Sequence, residues 1–269
     1  MRHILVIGMG AVGRHVALAL QNEANRLRLS ILVRSEYVKA VKARADEIVP
    51  GEVQVVHRFD QLTDIPELAV ECASHRAVAE FGEECLTSGT DFLITSVGAL
   101  TDGLLLQRLE RASRTHMGKL MIPAGAIAGV DALAAARYGG LERVRYISRK
   151  PPDAWTGTPA EKMCDLGRLK APVEFYTGNA GEAARLFPQN ANVAATIALA
   201  GLGFEKTEVS LNADPSAPGN VHVIEADGAF GKLRVEVQGK PLPENPKTSA
   251  LAALSVLRAI HNRIDAIQI

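Results

Sequence analysis

Through the first half of the chain, short runs of consecutive apolar residues alternate with stretches in which apolar residues return every three or four positions. The runs are His3–Ile7, Ser30–Val33, Val53–Val56, Leu68–Ala73, Phe92–Thr95 and Leu120–Ile122, and helical spacing occupies Ala11–Glu23, His75–Thr87 and Asp102–Ser113. A strand that is apolar at successive positions is covered on both faces. With helices between the strands, the pattern predicts a doubly wound parallel sheet of α/β class with right-handed crossovers.

The pattern changes near residue 126. Val144–Ser148, Glu208–Leu211, Val221–Glu225 and Leu233–Val237 read as strands, the last two joined through Ala226–Gly231, while Asn179–Leu186 and Val193–Leu199 read as helices. Strands that follow strands predict a mixed or antiparallel sheet, hence a second, α+β domain over 126–240. Leu251, Leu254, Leu257, Ile260 and Ile264 recur at helical spacing along Thr248–Ile264. This tail, within 241–269, is expected to pack back on the first domain, 1–125, and complete it.

A length of 269 residues with 47% hydrophobic composition is enough for two cores. The 30 basic and 30 acidic residues balance, so no global field favours nucleic acid or an anionic membrane, and an anionic ligand must be held by local groups. Cys72, Cys85 and Cys164 are odd in number and lack metal-ligand spacing, which predicts reduced thiols in a cytoplasmic protein and no metal site. The amino-terminal apolar run turns glycine-rich too early for the ~7–15 apolar residues of a secretory signal. No uncharged apolar stretch reaches the ~18 residues of a membrane span.

Gly8-Met9-Gly10-Ala11-Val12-Gly13 follows the first strand directly and opens the first helix. In that context the G-x-G-x-x-G spacing marks a Rossmann-type dinucleotide site. Gly8 permits the tight turn, Gly10 lets a pyrophosphate approach the backbone, and Gly13 lets helix and strand pack closely, while the N–H groups at Ala11 and Val12 face the phosphates. The second strand ends in Val33-Arg34-Ser35-Glu36 rather than in the acidic residue that binds an adenine ribose. Arg34 is where a 2′-phosphate would be neutralised, with Ser35 beside it, so NADP is an expected cofactor along with NAD. A solvated surface charge is the competing reading of Arg34.

Four further segments carry a resemblance. Pro123-Ala124-Gly125-Ala126-Ile127, Phe187–Thr196, Asn220-Val221-His222-Val223-Ile224 and Asn245-Pro246-Lys247-Thr248-Ser249, in this order after the glycine motif, resemble the L-aspartate dehydrogenase family over essentially the whole chain. The resemblance implies NAD(P)-dependent oxidative deamination of L-aspartate to iminoaspartate, which gives oxaloacetate and ammonia or feeds NAD biosynthesis. It also implies a homodimer. It places Ala126 and Asn192 at the nicotinamide end of the cofactor, with Asn190 the less favoured asparagine, and makes His222 the active-site residue.

The residues themselves leave alternatives. A side-chain amide at Asn190 or Asn192 can satisfy both sides of a carboxamide, or it can cap the helix that follows. His222 interrupts an apolar strand and can be structural, yet histidine alone has an unperturbed pKa, ~6.5, near physiological pH. Pro246-Lys247-Thr248-Ser249 is expected to open the tail helix, where a lysine, hydroxyls and free N–H groups would suit a substrate carboxylate, with Lys247 and Thr248 the contacts. A dihydrodipicolinate-reductase-like or homoserine-dehydrogenase-like enzyme would share the first domain. A non-catalytic nucleotide-sensing regulator is the third reading.

Overall fold

A computed structural model of the chain describes residues 1–44, 53–188, 191–243 and 245–268, with the backbone alone at 246 and 247. The chain divides into two compact units, Met1–Pro123 with Ala252–Ile269, and Ala124–Leu251.

In the first unit the elements run β1 (Arg2–Ile7), α1 (Ala11–Ala19), β2 (Leu27–Leu32), α2 (Ser35–Lys42), β3 (Gln54–Val56), β4 (Leu68–Glu71), α3 (His75–Thr87), β5 (Asp91–Ile94), α4 (Gly103–Thr115) and β6 (Leu120–Met121). The strands are all parallel and lie in the order β3-β2-β1-β4-β5-β6. Chain direction across the sheet reverses between β1 and β4, which defines the doubly wound, Rossmann-type arrangement and its ligand crevice at the carboxyl ends of the strands. Ile4, Leu5, Val6 and Ile7 are essentially inaccessible on both faces, as the consecutive apolar run requires. Val256 and Ile260 of the C-terminal helix α8 (Ala250–Ile264) join Ile4, Val6, Val16, Leu68 and Val70 in one core cluster. Arg263 fastens the same helix to Asp91, and Arg26 pairs with Asp265 at 3.0 Å.

The second unit holds α5 (Val130–Ala136), β7 (Leu141–Lys150), β8 (Val173–Asn179), α6 (Ala180–Leu186), α7 (Ala191–Ala200), β9 (Thr207–Ala213), β10 (Asn220–Gly228) and β11 (Gly231–Gly239), followed by a ribbon of β12 (Pro241–Leu242) and β13 (Asn245–Ser249). Its five-stranded sheet is ordered β11-β10-β7-β9-β8, with β7 and β9 parallel and the other pairs antiparallel. One face of this mixed sheet is apolar. Val144 and Tyr146, Val209 and Leu211, and Ile224 and Ala226 bury it with Trp155, Phe187, Ala194 and Ile197. Trp155 is fully enclosed, edge-on to Phe175 and Phe187, and its indole N–H donates to the Asn212 carbonyl at 3.1 Å.

Two differences from the sequence reading have simple causes. Asn245–Ser249 is a strand rather than a helix opening, and the helix starts at Ala250, whose N–H is taken by the Lys240 carbonyl at 2.9 Å. Helix α2 has no fully buried residue and packs only the partly buried Val38 and Val41 against the core, a stripe too short to announce it.

Glu71, at the carboxyl end of β4, joins two strand ends. One carboxylate oxygen accepts from the N–H groups of Ala73 and Ser74, each at 2.7 Å, and from the Ser96 hydroxyl at 2.9 Å. The other accepts from the N–H groups of Thr95 and Ser96 at 3.2 and 2.9 Å. Burial raises the pKa of this inaccessible carboxyl group, and the converging donors oppose the rise. Glu71→Ala leaves the backbone N–H groups of Ala73, Ser74 and Ser96 without their acceptor, while Thr95 keeps its bond to the residue-71 carbonyl. At ~1–3 kcal/mol for each unsatisfied buried group, partly relieved by water, a loss of at least ~3 kcal/mol is expected. The midpoint of urea denaturation measures it, and an unchanged midpoint would refute the role.

Candidate active site

The turn after β1 has the geometry that a pyrophosphate needs. Gly8 sits at φ +93°, a conformation that side chains disfavour. A Cβ on Gly13 would lie 2.1 Å from the Gly8 carbonyl oxygen, so the third glycine is dictated by helix-on-strand contact. At Gly10 an added Cβ would meet nothing within 4 Å, and the space there belongs to an open cavity. No side chain caps α1 at Gly10, so the N-terminal N–H groups at Ala11, Val12 and Gly13 carry the positive end of the helix dipole toward that space. These residues fit a dinucleotide.

The cavity is about 950 Å³ and its walls include Gly8, Gly10, Arg34, Tyr37, Ser74 and Arg76. Arg34 is mostly exposed. Its guanidinium lies 4.8 Å above the Tyr37 ring, donates to the Tyr37 hydroxyl at 2.9 Å, and pairs with Glu36 at 3.3 Å. These contacts place the guanidinium at the cavity wall. Tyr37 and Arg76 were not legible as site residues, since each reads as an ordinary surface residue of a helix.

The second group of candidates lies in the other unit. Ala126 follows Gly125 (φ +70°) in the loop before α5 and is buried. Asn192 is exposed in the first turn of α7, where its carbonyl accepts from the Thr196 hydroxyl at 3.0 Å. Asn190 lies outside the described residues. His222 is on β10. Ile127, Ala194 and Ile224, close to these three in sequence, belong to one core cluster. Thr248 is half-buried in β13, its hydroxyl bonded to the Asn245 amide at 3.0 Å. The Lys247 side chain lies outside the described residues.

His222 is only 5% exposed. Its Nδ1 is 2.8 Å from the Tyr146 hydroxyl, and the two rings stack at 5.9 Å with an interplanar angle of 23°. Burial, followed by the nearby charge of Lys150, lowers the imidazole pKa to about 3. The expectation of an imidazole titrating near ~6.5 is therefore corrected: the ligand-free ring is neutral throughout the physiological range. Burial also raises the Tyr146 pKa, so the phenol keeps its proton. On the same strand, Ser148 is inaccessible. Lys150 is half-buried, with Nζ 5.0 Å from the centre of the Trp155 ring, and burial lowers its pKa to about 8. Sequence reasoning missed Tyr146, Ser148 and Lys150. Their alternation along β7 was the available signal, masked by Ile147 and Arg149 between them.

Among the described residues no group of three or more His, Cys, Asp or Glu could hold a metal ion, and no helix is long and apolar enough to cross a membrane.

Comparison with known proteins follows the same division. Residues 8–123 match the homoserine dehydrogenase NAD-binding domain, and residues 131–263 match the C-terminal domain of aspartate dehydrogenase. The L-aspartate dehydrogenase of Ralstonia nicotianae is 45% identical over 269 residues, covering 100% of both chains, and that of Pseudomonas aeruginosa is 45% identical with the same coverage. The crystal structure of aspartate dehydrogenase from Thermotoga maritima superposes with a TM-score of 0.76 at 28% identity, over 100% of this chain and 99% of that one. A hyperthermophilic archaeal homoserine dehydrogenase shares the fold at a TM-score of 0.58 and 12% identity, over 97% of each chain. With full-length relatives at this identity, a family-specific C-terminal match and a phosphate turn of the right geometry, the chain belongs to the L-aspartate dehydrogenase family.

Proposed function

We propose that this chain oxidises L-aspartate to iminoaspartate with NAD or NADP, and that His222 is the residue that receives the proton from the substrate nitrogen. The observation that carries the assignment of His222 is its place on the buried face of β10, held by Tyr146 and beside the half-buried Lys150. The glycine turn, Arg34, Ala126 and Asn192 are read as the cofactor contacts. The unit Ala124–Leu251 is read as the one that supplies the substrate residues, with Asn192, Lys247 and Thr248 beside His222. When bound, the nicotinamide supplies a hydride acceptor at C4.

Before hydride can leave Cα, the substrate ammonium must lose one proton, so that the nitrogen lone pair can form the C=N bond as the C–H pair departs. The products are iminoaspartate as its iminium, the reduced cofactor and one proton, and water then converts the iminium to oxaloacetate and ammonium. An alkyl ammonium has a pKa near ~10, about seven pKa units above that of ligand-free His222. Direct transfer in the ligand-free electrostatic setting is steeply uphill. Aspartate itself brings two carboxylates, and negative charge beside an imidazole raises its basicity. The substrate therefore supplies part of what makes His222 a base. A cytoplasmic homodimer that provides iminoaspartate for NAD biosynthesis is the setting this reading favours.

Three measurements test it. Gly10→Val is expected to abolish cofactor binding while leaving the circular dichroism and melting temperature near wild type, because the protein offers no atom for the new side chain to strike; retained affinity would remove the turn from the site. Arg34→Asp replaces the guanidinium by a carboxylate and is expected to raise the Michaelis constant for NADP much more than that for NAD. Equal changes would make Arg34 a surface charge. His222→Ala is expected to lower kcat by ~10²–10⁴-fold with little effect on cofactor affinity. Because free His222 is already neutral above pH 5, its ionisation should leave no limb near pH 6.5 in the wild-type kcat/KM profile, which reports the free enzyme. A limb there that vanishes in the alanine variant would overturn the assigned environment.

A further inference from the structure

We propose that Arg76 is a second arginine for the adenosine 2′-phosphate of NADP, reaching it from the side of the cavity opposite Arg34. The inference rests on the reading of the glycine turn as a cofactor site and names a residue that decides between the two cofactors.

The two arginines stand on either side of β1. Arg34 lies just beyond the end of β2, and Arg76 lies in the first turn of α3, shortly after β4. Both β2 and β4 pair with β1, so their ends are two strand spacings apart, about 10 Å. Backbone bonds fix that gap: the Gly8 N–H donates to the Leu32 carbonyl at 2.9 Å, and the Cys72 N–H donates to the Ile7 carbonyl at 2.8 Å. Both arginines border the same open cavity. Ala40 and Val41 of α2 and Ala77 and Phe81 of α3 border it too, an apolar lining of the kind a purine ring takes. A dinucleotide whose pyrophosphate lies at Gly10 carries its adenosine toward the end of β2. The 2′ position of that ribose then falls in the part of the cavity that both arginines border.

Helix stability gives little reason for an arginine at this position. The first turn of α3 holds no acidic residue, and a cation there is opposed by the helix dipole. The ion pair of Arg76 with Glu80 is exposed, spans 3.7 Å and runs from arginine to glutamate along the helix, the less favourable order. Such a pair only offsets the opposition of the dipole. Arg34 is likewise tied to Glu36 by an exposed pair at 3.3 Å. A phosphate group carries up to two negative charges and three acceptor oxygens. It can therefore take both guanidinium groups at once, which neither glutamate does. NAD presents only a hydroxyl at that position and leaves each arginine with its glutamate. The preference thus comes from what the second arginine gains with one cofactor and not with the other.

The test compares 2′,5′-ADP with 5′-AMP, the adenosine ends of NADP and NAD, by calorimetry on the full chain. Arg76→Ala is expected to weaken 2′,5′-ADP binding by ~10-fold, the lower end for loss of a hydrogen bond between charged groups, and 5′-AMP binding by less than ~3-fold. Its melting temperature should stay near wild type, because the lost ion pair and the relieved dipole opposition offset one another. Arg76→Lys should keep more of the 2′,5′-ADP affinity than Arg76→Ala does. Glu80→Gln should raise that affinity, since the glutamate competes for the same guanidinium. An unchanged ratio of the two affinities in Arg76→Ala would overturn the proposal; if both fell equally, the side chain would be stacking on the purine. A wild type that binds 5′-AMP as tightly as 2′,5′-ADP would overturn it too, as would weaker 2′,5′-ADP binding in Glu80→Gln. A wild type that binds neither nucleotide would instead sink the reading of the cavity as a cofactor site, so the two failures are distinct.

Discussion

The nucleotide-handling half of the molecule depends on how closely helix α1 approaches the end of strand β1. A single added carbon at Gly13 would strike the Gly8 carbonyl oxygen. That contact aims the helix N-terminus at the strand end, and the dipole and free N–H groups follow from it. β1 can serve as the fixed base because it is inaccessible on both faces and hydrogen-bonded to β2 and β4 along its length. At the adjoining strand ends, Glu71 gathers the N–H groups of two loops onto one carboxylate. The carboxyl edge of the sheet, where the dinucleotide fits, is thus braced by the protein's own hydrogen bonds.

This architecture was legible in the sequence where burial is two-sided or strictly periodic. The strands of the first sheet, His75–Thr87 and the packing of the tail helix on the first unit all follow from apolar runs or helical spacing. Elements that bury little were not legible. Helix α2 buries only Val38 and Val41, and those partly, and β8 is half-buried with no clean alternation. The segment 245–249 failed for a different reason: a Pro-Lys-Thr-Ser sequence before an apolar helix looks like a helix start, but pairing with β12 holds it extended. In the site, the glycines and His222 stood out by motif. Lys150 did not, because in sequence it is one more basic residue in an Arg-x-Arg-Tyr-x-Ser-Arg-Lys run, and only alternation over ten residues separates it from its neighbours.

The same alternation gives the second sheet two electrostatic surfaces. On one face, arginines and glutamates pair in partly exposed positions, where water screens them and each pair contributes about 0–1 kcal/mol. On the other, the core excludes water and each charge acts strongly on its neighbours. The Lys150 charge, on that second face, accordingly lowers the imidazole pKa of His222. A polar group placed on the buried face has consequences that a sequence position cannot show.

Tyr146 gives that buried face its chemical versatility. A base at Nε2 of His222 requires the ring proton on Nδ1, donated to the phenol oxygen. A hydrogen-bond donor at Nε2 requires the reverse, with the phenol donating to Nδ1. The 2.8 Å contact satisfies both, since a phenol hydroxyl is donor and acceptor alike. Exchanging the two takes the ring proton off Nδ1, places one on Nε2 from the ligand or solvent side, and turns the phenol hydrogen toward Nδ1, with no movement of either ring. Nearby charge then selects the tautomer, as it selects the basicity. An ammonium presented to Nε2 calls for the accepting ring, and burial raises the phenol pKa so that Tyr146 remains a neutral partner in either state. A charged partner at Nδ1 would fix one tautomer and so commit the histidine to one role. A buried phenol leaves that choice to the ligand.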